Sequence, residues 1–430
     1  GAAAASLTVT NPAATLGLNG ATLALAAPST LGGAVEGPGA LAANGGGTVG
    51  AGGLTLGGGA TLQVGGTLTA AAPVWFGDVS GLAGTLAVGA GATLLLTADA
   101  AGLSLASVTD ASGNVAVGTG WLVNAGTVAK TGGAQVSVIQ VPVLSSGALL
   151  AGTGTLALQS GGTLAGSVGG SHGGVVALQA GTFALGAPTL TVTGALAQSG
   201  GAITLAAGQV LNLLGTTAFG LAGLGGGAVD GPGTLVQAGT ASILADPATQ
   251  LTLGGGVVWR NAGLLTIGGP VAIGDLSGNA ATLQNLAGGT IALAADTAGL
   301  FNNGWFDAAG AWQVGAGSLA NAGLLIKNGG TGTAPIFVPV INTGTLLAAS
   351  GTLSLEAGGT LAGTMGGTSS GVLALDGGVF GLAAGGAGPA VLSLGGTVAL
   401  SGGTLALAGF FDFRIAGGIG AARKPFAPQP

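Results

Sequence analysis

The residues of this chain that could do chemistry are few, and most of them occur twice. Six aspartates form three pairs whose members lie 197 residues apart (275 − 78 = 197): Asp78 with Asp275, Asp99 with Asp296, and Asp110 with Asp307. Calcium takes about six to eight oxygens from clustered groups. These acids, like Glu36 and Asp230, stand alone among glycines and apolar residues. We therefore expect them to hold a turn or to cap the backbone at a corner rather than to bind a metal.

The basic candidates are also isolated. Lys130 and Lys327 share the 197-residue spacing, and we interpret them as solvated loop charges. His172 is the only histidine and is flanked by glycines; its counterpart is Ser369, so we expect an exposed loop residue. A catalytic histidine needs a nucleophile and an orienting carboxylate beside it. The sequence proposes no such group, and we predict no enzymatic activity, no cofactor and no metal site.

The tryptophans do not recur at that spacing. Exposed tryptophans could stack on sugar rings, whereas buried ones fill the corners of a fold. Burial is the commoner outcome for this residue. The five positions are Trp75, Trp121, Trp259, Trp305 and Trp312.

Composition excludes several classes of protein. The chain has 430 residues with 96 glycines, no cysteine and 4% charged residues, where globular domains carry about 25%. High apolarity with low charge is the reverse of the disorder signature, and glycine has no three-residue period, which excludes collagen. No apolar run approaches the roughly 20 residues of a membrane helix. The net charge of −6 argues against nucleic acid, whose phosphates need a basic face.

These residues sit in a long tandem repeat. Gly154-Thr-Leu-Ala-Leu-Gln159 returns as Gly351-Thr-Leu-Ser-Leu-Glu356, and residues 54–183 match 251–380 without a gap. We expect the two segments to superimpose as one stack of coils. The predicted segments are a first repeat at 1–183, a second at 184–384, the start of a third with a terminal coil at 385–415, and a basic tail at 416–430.

A shorter period lies inside each copy. Asn321-Ala-Gly and Asn342-Thr-Gly are 21 residues apart (342 − 321), and so are Asn124-Ala-Gly and Ser145-Ser-Gly (145 − 124). We interpret this Asn-x-Gly pattern as a turn, in which asparagine bonds its own backbone and glycine takes positive φ. Leu353 and Leu355 alternate with polar residues, as in a strand with one buried face. The sequence therefore predicts an all-β fold, a parallel, right-handed β-helix or β-solenoid.

The second copy carries a family resemblance. The segments that carry it lie after Trp305. They are Asn321-Ala-Gly-Leu-Leu-Ile-Lys-Asn-Gly-Gly330, Val338-Pro-Val-Ile-Asn-Thr-Gly-Thr-Leu-Leu347 and Ser350-Gly-Thr-Leu-Ser-Leu355. They resemble the β-solenoid repeats of large bacterial surface proteins, the filamentous-haemagglutinin-like adhesins and autotransporter passenger regions. The resemblance implies secretion, a right-handed β-helix and a surface or adhesive role.

The two ends suggest how subunits could meet. Leu7-Thr-Val-Thr10 returns at Leu190 and, in a degenerate form, at Val391-Leu-Ser-Leu394, so the sequence stops shortly after it re-enters the phase at which it begins. A head-to-tail contact of that kind does not close and generates a fibre. We predict a secreted or cell-surface structural protein whose partner is itself, with no nucleic acid and no membrane span. The predicted contact residues are Leu7, Val9, Phe410, Phe411, Phe413, Arg414, Arg423, Lys424 and Phe426.

Other functions remain open from the sequence. The alternative is an adhesin that binds extracellular polysaccharide or a cell surface. A polysaccharide-active β-helix enzyme would need clustered charges on one face, and the chain has 18 in all (6 + 12). An ice-binding face would need a file of threonines in every coil, which only Leu7–Thr10 and Leu190–Thr193 show.

The solitary aspartates lead to a prediction about calcium. We expect neither calcium nor a chelator to shift the melting temperature, because no set of clustered carboxylates is available to coordinate the ion. Thermal melts with millimolar calcium and with a chelator make the measurement. A large chelator-induced drop in melting temperature would contradict the interpretation that these acids hold turns.

Overall fold

The computed structural model describes residues 2–109, 113, 115–220, 227–244, 250–306, 309–368, 370–382, 390–406 and 411–416, with 108, 305, 390–392 and 411–416 described by their backbone alone. This part of the chain is all-β, with no helix, and its strands stack in parallel as a β-solenoid of about 18 turns. The predicted all-β solenoid is therefore confirmed. No helix that could cross a membrane occurs among these residues.

The chain divides into two compact units, residues 1–239 and 240–430. In each unit a turn contributes three strands, and equivalent strands of successive turns pair in three columns. We name the first two columns after a buried residue that each contains, asparagine or lysine, and call the remaining one the third column. The boundaries predicted from the sequence, at 183, 384 and 415, mark the period of the repeat rather than compact units. They stay a prediction.

The first unit contains 31 strands among its described residues. The asparagine column consists of Ala2–Ala4, Thr22–Leu25, Gly39–Ala43, Ala60–Val64, Gly84–Val88, Gly120–Asn124, Val143–Ser145, Gly162–Leu164, Thr182–Leu185, Ala202–Thr204 and Ala228–Asp230. The lysine column consists of Thr67–Ala70, Thr93–Leu96, Thr127–Lys130, Ala148–Ala151, Val168–Gly170, Thr189–Val192, Val210–Leu213 and Thr234–Gln237. The third column consists of Thr15–Gly17, Val74–Phe76, Leu103–Leu105, Val136–Ile139, Thr155–Leu158, Val175–Leu178, Leu196–Gln198 and Thr216–Phe219. Two long strands, Ser29–Glu36 and Gly47–Leu56, run through both the lysine and the third column. An antiparallel hairpin leaves the solenoid at Ser107–Thr109 and Val115–Val117.

The second unit repeats this plan with 24 strands. The asparagine column consists of Val258–Asn261, Ala281–Asn285, Gly317–Asn321, Val340–Asn342, Gly359–Leu361, Val379–Leu382 and Thr404–Ala406. The lysine column consists of Thr240–Ile243, Leu264–Ile267, Thr290–Leu293, Leu324–Lys327, Thr345–Ala348, Gly363–Gly367, Ala390–Gly395 and Phe411–Ala416. The third column consists of Leu251–Leu253, Pro270–Ile273, Gly299–Asn302, Thr333–Ile336, Gly351–Leu355, Gly371–Leu375 and Thr397–Leu400. Its hairpin pairs Gly304–Phe306 with Trp312–Val314.

The core follows from strand alternation and parallel register. Side chains alternate between the two faces of a strand, and in-register pairing places equivalent inward residues directly above one another. Leu41, Leu62, Leu86 and Leu122 form one such file, and each is fully buried. Each contributes about 1.5–3 kcal/mol relative to exposure. The expected Leu, Val, Ile and Ala core is present.

Strand bounds recur at the interval found in the sequence. Gly84–Val88 and Ala281–Asn285 begin 197 residues apart (281 − 84), and the strands Thr127–Lys130 and Leu324–Lys327 have the same offset (324 − 127). The two hairpins share it as well (304 − 107 = 197). Superposition of residues 54–183 on 251–380, and the right hand of the solenoid, stay predictions.

Candidate functional site

The N-terminal residues predicted to contact another subunit border a cavity. Leu7 and Val9 are half-buried, and the backbone of residues 7–9 runs beside Ser29–Glu36. The Leu7 N–H donates to Ser29 Oγ at 3.1 Å, and the Val9 N–H donates to the Thr30 carbonyl at 2.8 Å. The two side chains share an apolar cavity of about 130 Å³. The structure therefore brings these two predicted residues together.

The C-terminal contact residues are described only in part. Phe411, Phe413 and Arg414 lie in the strand Phe411–Ala416, which pairs with Ala390–Gly395. Four further predicted contact residues lie outside the described part of the chain: Phe410, Arg423, Lys424 and Phe426.

One pair of repeated aspartates does hold turns. Asp78 Oδ1 accepts hydrogen bonds from the backbone N–H and the hydroxyl of Ser80, at 2.9 and 2.5 Å. Asp275 Oδ1 does the same with Ser277, at 3.0 and 2.6 Å, and its Oδ2 also accepts from the Gly255 N–H. The turn interpretation is confirmed for these two residues. Asp110 and Asp307 lie outside the described residues.

The interpretation of the lysines as solvated loop charges is wrong. Lys130 is fully buried at the end of its strand, and its Nζ donates to Asp99 Oδ1 at 2.9 Å and to the Gly132 carbonyl at 2.7 Å. Lys327 repeats the arrangement with Asp296 at 2.9 Å and the Gly329 carbonyl at 2.5 Å. A buried ammonium must be paired because it loses its hydration. Asp99 and Asp296 therefore form ion pairs, which were not expected, in addition to accepting backbone hydrogen bonds.

The loop after each lysine closes over its carboxylate. Asp99 Oδ1 accepts from the Gln135 N–H, and Asp296 Oδ1 accepts from the Gly332 N–H, both at 2.9 Å. The loop backbone passes close to each carboxylate: a Cβ on Gly133 would lie 2.1 Å from Asp99 Oδ1, and one on Gly330 would lie 2.2 Å from Asp296 Oδ1. Both glycines have positive φ. The hydrogen bond from the lysine is the largest cause that lowers the pKa of each aspartate, and partial burial opposes it.

The asparagines of the Asn-x-Gly pattern form a buried ladder in addition to local contacts at the turns. Successive side chains of the second unit's asparagine column bond one another: the Nδ2 of Asn261 donates to Asn285 Oδ1 at 2.8 Å, Asn285 to Asn321 at 2.7 Å, and Asn321 to Asn342 at 2.7 Å. Each of the first three also donates to a backbone carbonyl one turn on. Two members also show a local turn bond: the Gly263 N–H donates to Asn261 Oδ1 at 3.3 Å, and Asn342 Nδ2 donates to the Gly344 carbonyl at 3.3 Å.

The first unit has a shorter version of this ladder. Asn124 Nδ2 donates to Ser145 Oγ at 3.0 Å and to the Ala148 carbonyl at 3.0 Å. The preceding turn carries Val88 at the equivalent position, in register with Asn124. Asn124 Oδ1 is buried and accepts no hydrogen bond from the described residues. The valine has removed the donor that Asn285 supplies in the second unit.

The histidine and tryptophans adopt different environments. His172 is exposed, has a positive φ of 51°, and lies in a loop as expected, with Nδ1 3.2 Å from Ser171 Oγ. Trp259 is buried and Trp75 half-buried, in agreement with the expectation. Trp121 and Trp312 are exposed, in disagreement with it. The Trp305 side chain lies outside the described part.

The second hairpin displays an aromatic pair. Phe306 and Trp312 are 69% and 58% exposed, and their rings meet edge to face with centroids 4.9 Å apart. The first hairpin carries Val115 and Val117, also exposed, where the second carries Trp312 and Val314. The aromatic pair is therefore particular to the second unit.

A further polar row runs beside the third column and was missed in the sequence. In the first unit Gln140 Nε2 donates to Gln159 Oε1 at 3.4 Å, and Gln159 Nε2 donates to Gln179 Oε1 at 2.9 Å. In the second unit the equivalent residues are Glu356 and Asp376, which both contact the hydroxyl of Ser354. The signal was available, because the glutamines recur at intervals of 19 and 20 residues.

Among the described residues, no group of three or more His, Cys, Asp or Glu side chains could together hold a metal ion. No protein-family model and no curated protein matches this chain.

The asparagine ladder predicts that replacing asparagine by valine lowers stability, whereas the reverse replacement at the equivalent position of the first unit does not. Asn285→Val should lower the free energy of unfolding by about 1–3 kcal/mol, because Asn321 Oδ1 would lose its donor and Asn261 Nδ2 its side-chain acceptor. Val88→Asn is the matched control, and it should leave stability unchanged or raise it, because it gives Asn124 Oδ1 a donor. Urea unfolding of both variants makes the comparison. Equal stability of Asn285→Val and the unsubstituted chain would contradict a stabilising ladder.

The ion pairs predict loss of stability in acid. Each aspartate has a lower pKa folded than unfolded, so its contribution is complete above the unfolded value, near pH 4, and disappears as the pH falls through the folded pKa. Asp99→Asn should destabilise more than Lys130→Met, because the asparagine leaves a buried ammonium without its carboxylate whereas methionine keeps the apolar stem packed.

The measurement is the melting temperature of each variant between pH 7 and pH 3. Both variants should lose less stability in acid than the unsubstituted chain, and Asp296→Asn with Lys327→Met should repeat the order. A Lys130→Met variant less stable than Asp99→Asn, or an unchanged acid slope in both, would contradict this account.

Proposed function

We propose that this chain is a secreted or cell-surface structural protein whose β-solenoid turns stack head to tail into an extracellular fibre. The observation that carries the proposal is the apolar cavity beside Leu7 and Val9. It offers a place for an apolar side chain of a neighbouring subunit, and burying such a side chain favours association.

The backbone supports the same contact. Among the described residues, the strand Phe411–Ala416 has a pairing partner on one edge only, Ala390–Gly395, and Ala2–Ala4 has only Thr22–Leu25. An unpaired edge is a template for a further strand. With 4% charged residues, the chain offers little electrostatic repulsion against stacking.

The location outside the cell rests on the resemblance to bacterial surface solenoids. That resemblance is carried by the Asn-x-Gly pattern and the short Gly-Thr-Leu strands. Both features contribute to the contacts between successive turns of the solenoid. The asparagines form the ladder, and the strands form the columns.

A second candidate function, adhesion to polysaccharide, is favoured by the second hairpin. Exposed aromatic rings such as Phe306 and Trp312 can stack on sugar rings, and an edge-to-face pair fixes their mutual orientation. A hairpin that stands off the solenoid presents them to a large ligand.

The fibre proposal predicts concentration-dependent growth. The chain should sediment as progressively larger species as its concentration rises, because a heterologous contact does not close. Deleting residues 410–430, or replacing Leu7 with Asp, should leave folded protein that no longer elongates, because the first removes one contact surface and the second places a charge in the apolar cavity. Analytical ultracentrifugation and electron microscopy measure the length distribution.

Circular dichroism controls for folding of both variants, and Leu276→Asp, which changes an exposed residue elsewhere, is the matched surface control. Fibres of unchanged length from both variants would contradict the proposed head-to-tail contact. An unsubstituted chain that stays monomeric at high concentration would contradict it as well.

A further inference from the structure

The outer surface of the first unit's third column is concave. A groove of about 330 Å³ runs across five successive turns there, and we call it the alanine groove. Its lining includes Val136 at one end and Thr216 at the other. Five turns at the usual strand spacing give it a length of about 19 Å.

The floor of the groove is built from small residues in register. Ala177 pairs with Ala197, and Ala197 with Ala218, on three consecutive turns. Val176 and Leu178, on either side of Ala177, point into the core, so Ala177 faces outward, and it is nevertheless buried. A side chain of one carbon lets a ligand approach the backbone of the sheet closely.

One wall of the groove carries unused hydrogen-bonding capacity. Gln179 ends the row of amides that begins at Gln140 and lines the groove. Its Oε1 accepts from Gln159, whereas its Nε2 donates to no other residue in the described part of the chain. An amide N–H₂ carries two donors, so both remain available to a ligand. The hydroxyl-bearing residue Thr155 lies along the groove as well.

The chemistry of the lining selects the class of ligand. Among the described residues, no charged side chain contributes to the groove lining, so an ionic ligand would lose hydration there without a partner. An apolar floor with one amide and hydroxyl-bearing threonines beside it suits a chain with apolar faces and equatorial hydroxyls. We propose that the alanine groove binds a neutral linear polysaccharide along the stacking direction. This inference rests on the second candidate function and assigns it a site other than the aromatic hairpin.

The second unit provides a natural comparison. At the equivalent place its floor is Ser354, Ala374 and Ala399 in register, and Glu356 and Asp376 replace the glutamines. Carboxylates cannot donate to sugar hydroxyl oxygens as an amide can. The neutral ligand should therefore prefer the first unit, and the same substitution at equivalent positions of the two units should have different effects.

The test is affinity electrophoresis of the full chain in gels that contain hydroxyethyl cellulose, dextran or galactomannan, with alginate as the anionic counterpart. We expect at least one neutral polymer, and not alginate, to retard the chain. Ala177→Leu fills the groove from the outward face and should weaken binding at least about tenfold. Gln179→Ala should weaken it about three- to tenfold through lost hydrogen bonds. Ala374→Leu, the matched change in the second unit, should leave binding unchanged.

The paired variant Phe306→Ala with Trp312→Ala separates the two sites. Full binding by this variant, together with loss in Ala177→Leu, supports the groove. Full binding by both groove variants, with loss in the hairpin variant, overturns the groove and leaves the adhesin function standing. Retardation by alginate alone, or by none of the polymers, overturns the inference, as does an Ala177→Leu variant that changes only self-association in the ultracentrifuge.

Discussion

Parallel, in-register pairing between successive turns is the constraint on which the rest of this structure depends. The backbone of one turn finds its hydrogen-bond partners in the next turn, so a strand cannot shift by one residue without turning its buried face outward. Equivalent side chains are therefore stacked one strand spacing apart over many turns. The leucine file at 41, 62, 86 and 122 is the apolar result of that constraint.

The same constraint decides which polar residues can be buried. Asparagine carries both a donor and an acceptor, so each member of a file can satisfy its neighbour and the pattern can continue indefinitely. Lysine carries donors only, so two stacked lysines would repel, and each buried lysine needs a carboxylate and a carbonyl of its own. That is why the asparagines form a ladder through four turns. Each copy, in contrast, buries a single lysine of this kind, Lys130 with Asp99 in the first and Lys327 with Asp296 in the second.

The periodicity of the sequence made the solenoid predictable. The environment of individual polar residues was not predictable, because the sequence does not show in which direction their side chains point. The alternation around Leu353 and the long repeat specify strands and their stacking, and these the structure confirms. The Asn-x-Gly pattern was visible but interpreted as a local turn, because its spacing does not show that the asparagine side chain points inward, where it meets the asparagine of the next turn. Lys130 sits next to glycines, which suggested a loop; its partner Asp99 lies 31 residues earlier and meets it only after the turns are stacked. The alanine groove depends on the curvature of a sheet surface, which no sequence pattern records.

The two copies show that inner and outer files respond differently to substitution. Most inward positions keep their apolar character between copies, because a change there would leave a cavity or an unpaired group in adjoining turns. The exceptions lie in the asparagine column, where Val64 and Val88 of the first copy correspond to Asn261 and Asn285 of the second. Outward positions have exchanged glutamine for acid at 159 and 356, and valine for tryptophan at 115 and 312. A residue on the outer face contacts few neighbours, so such exchanges cost little stability, usually within about 0.5 kcal/mol. A stacked scaffold can therefore repeat its core while each copy presents a different surface, and differences between copies are where binding chemistry should be sought.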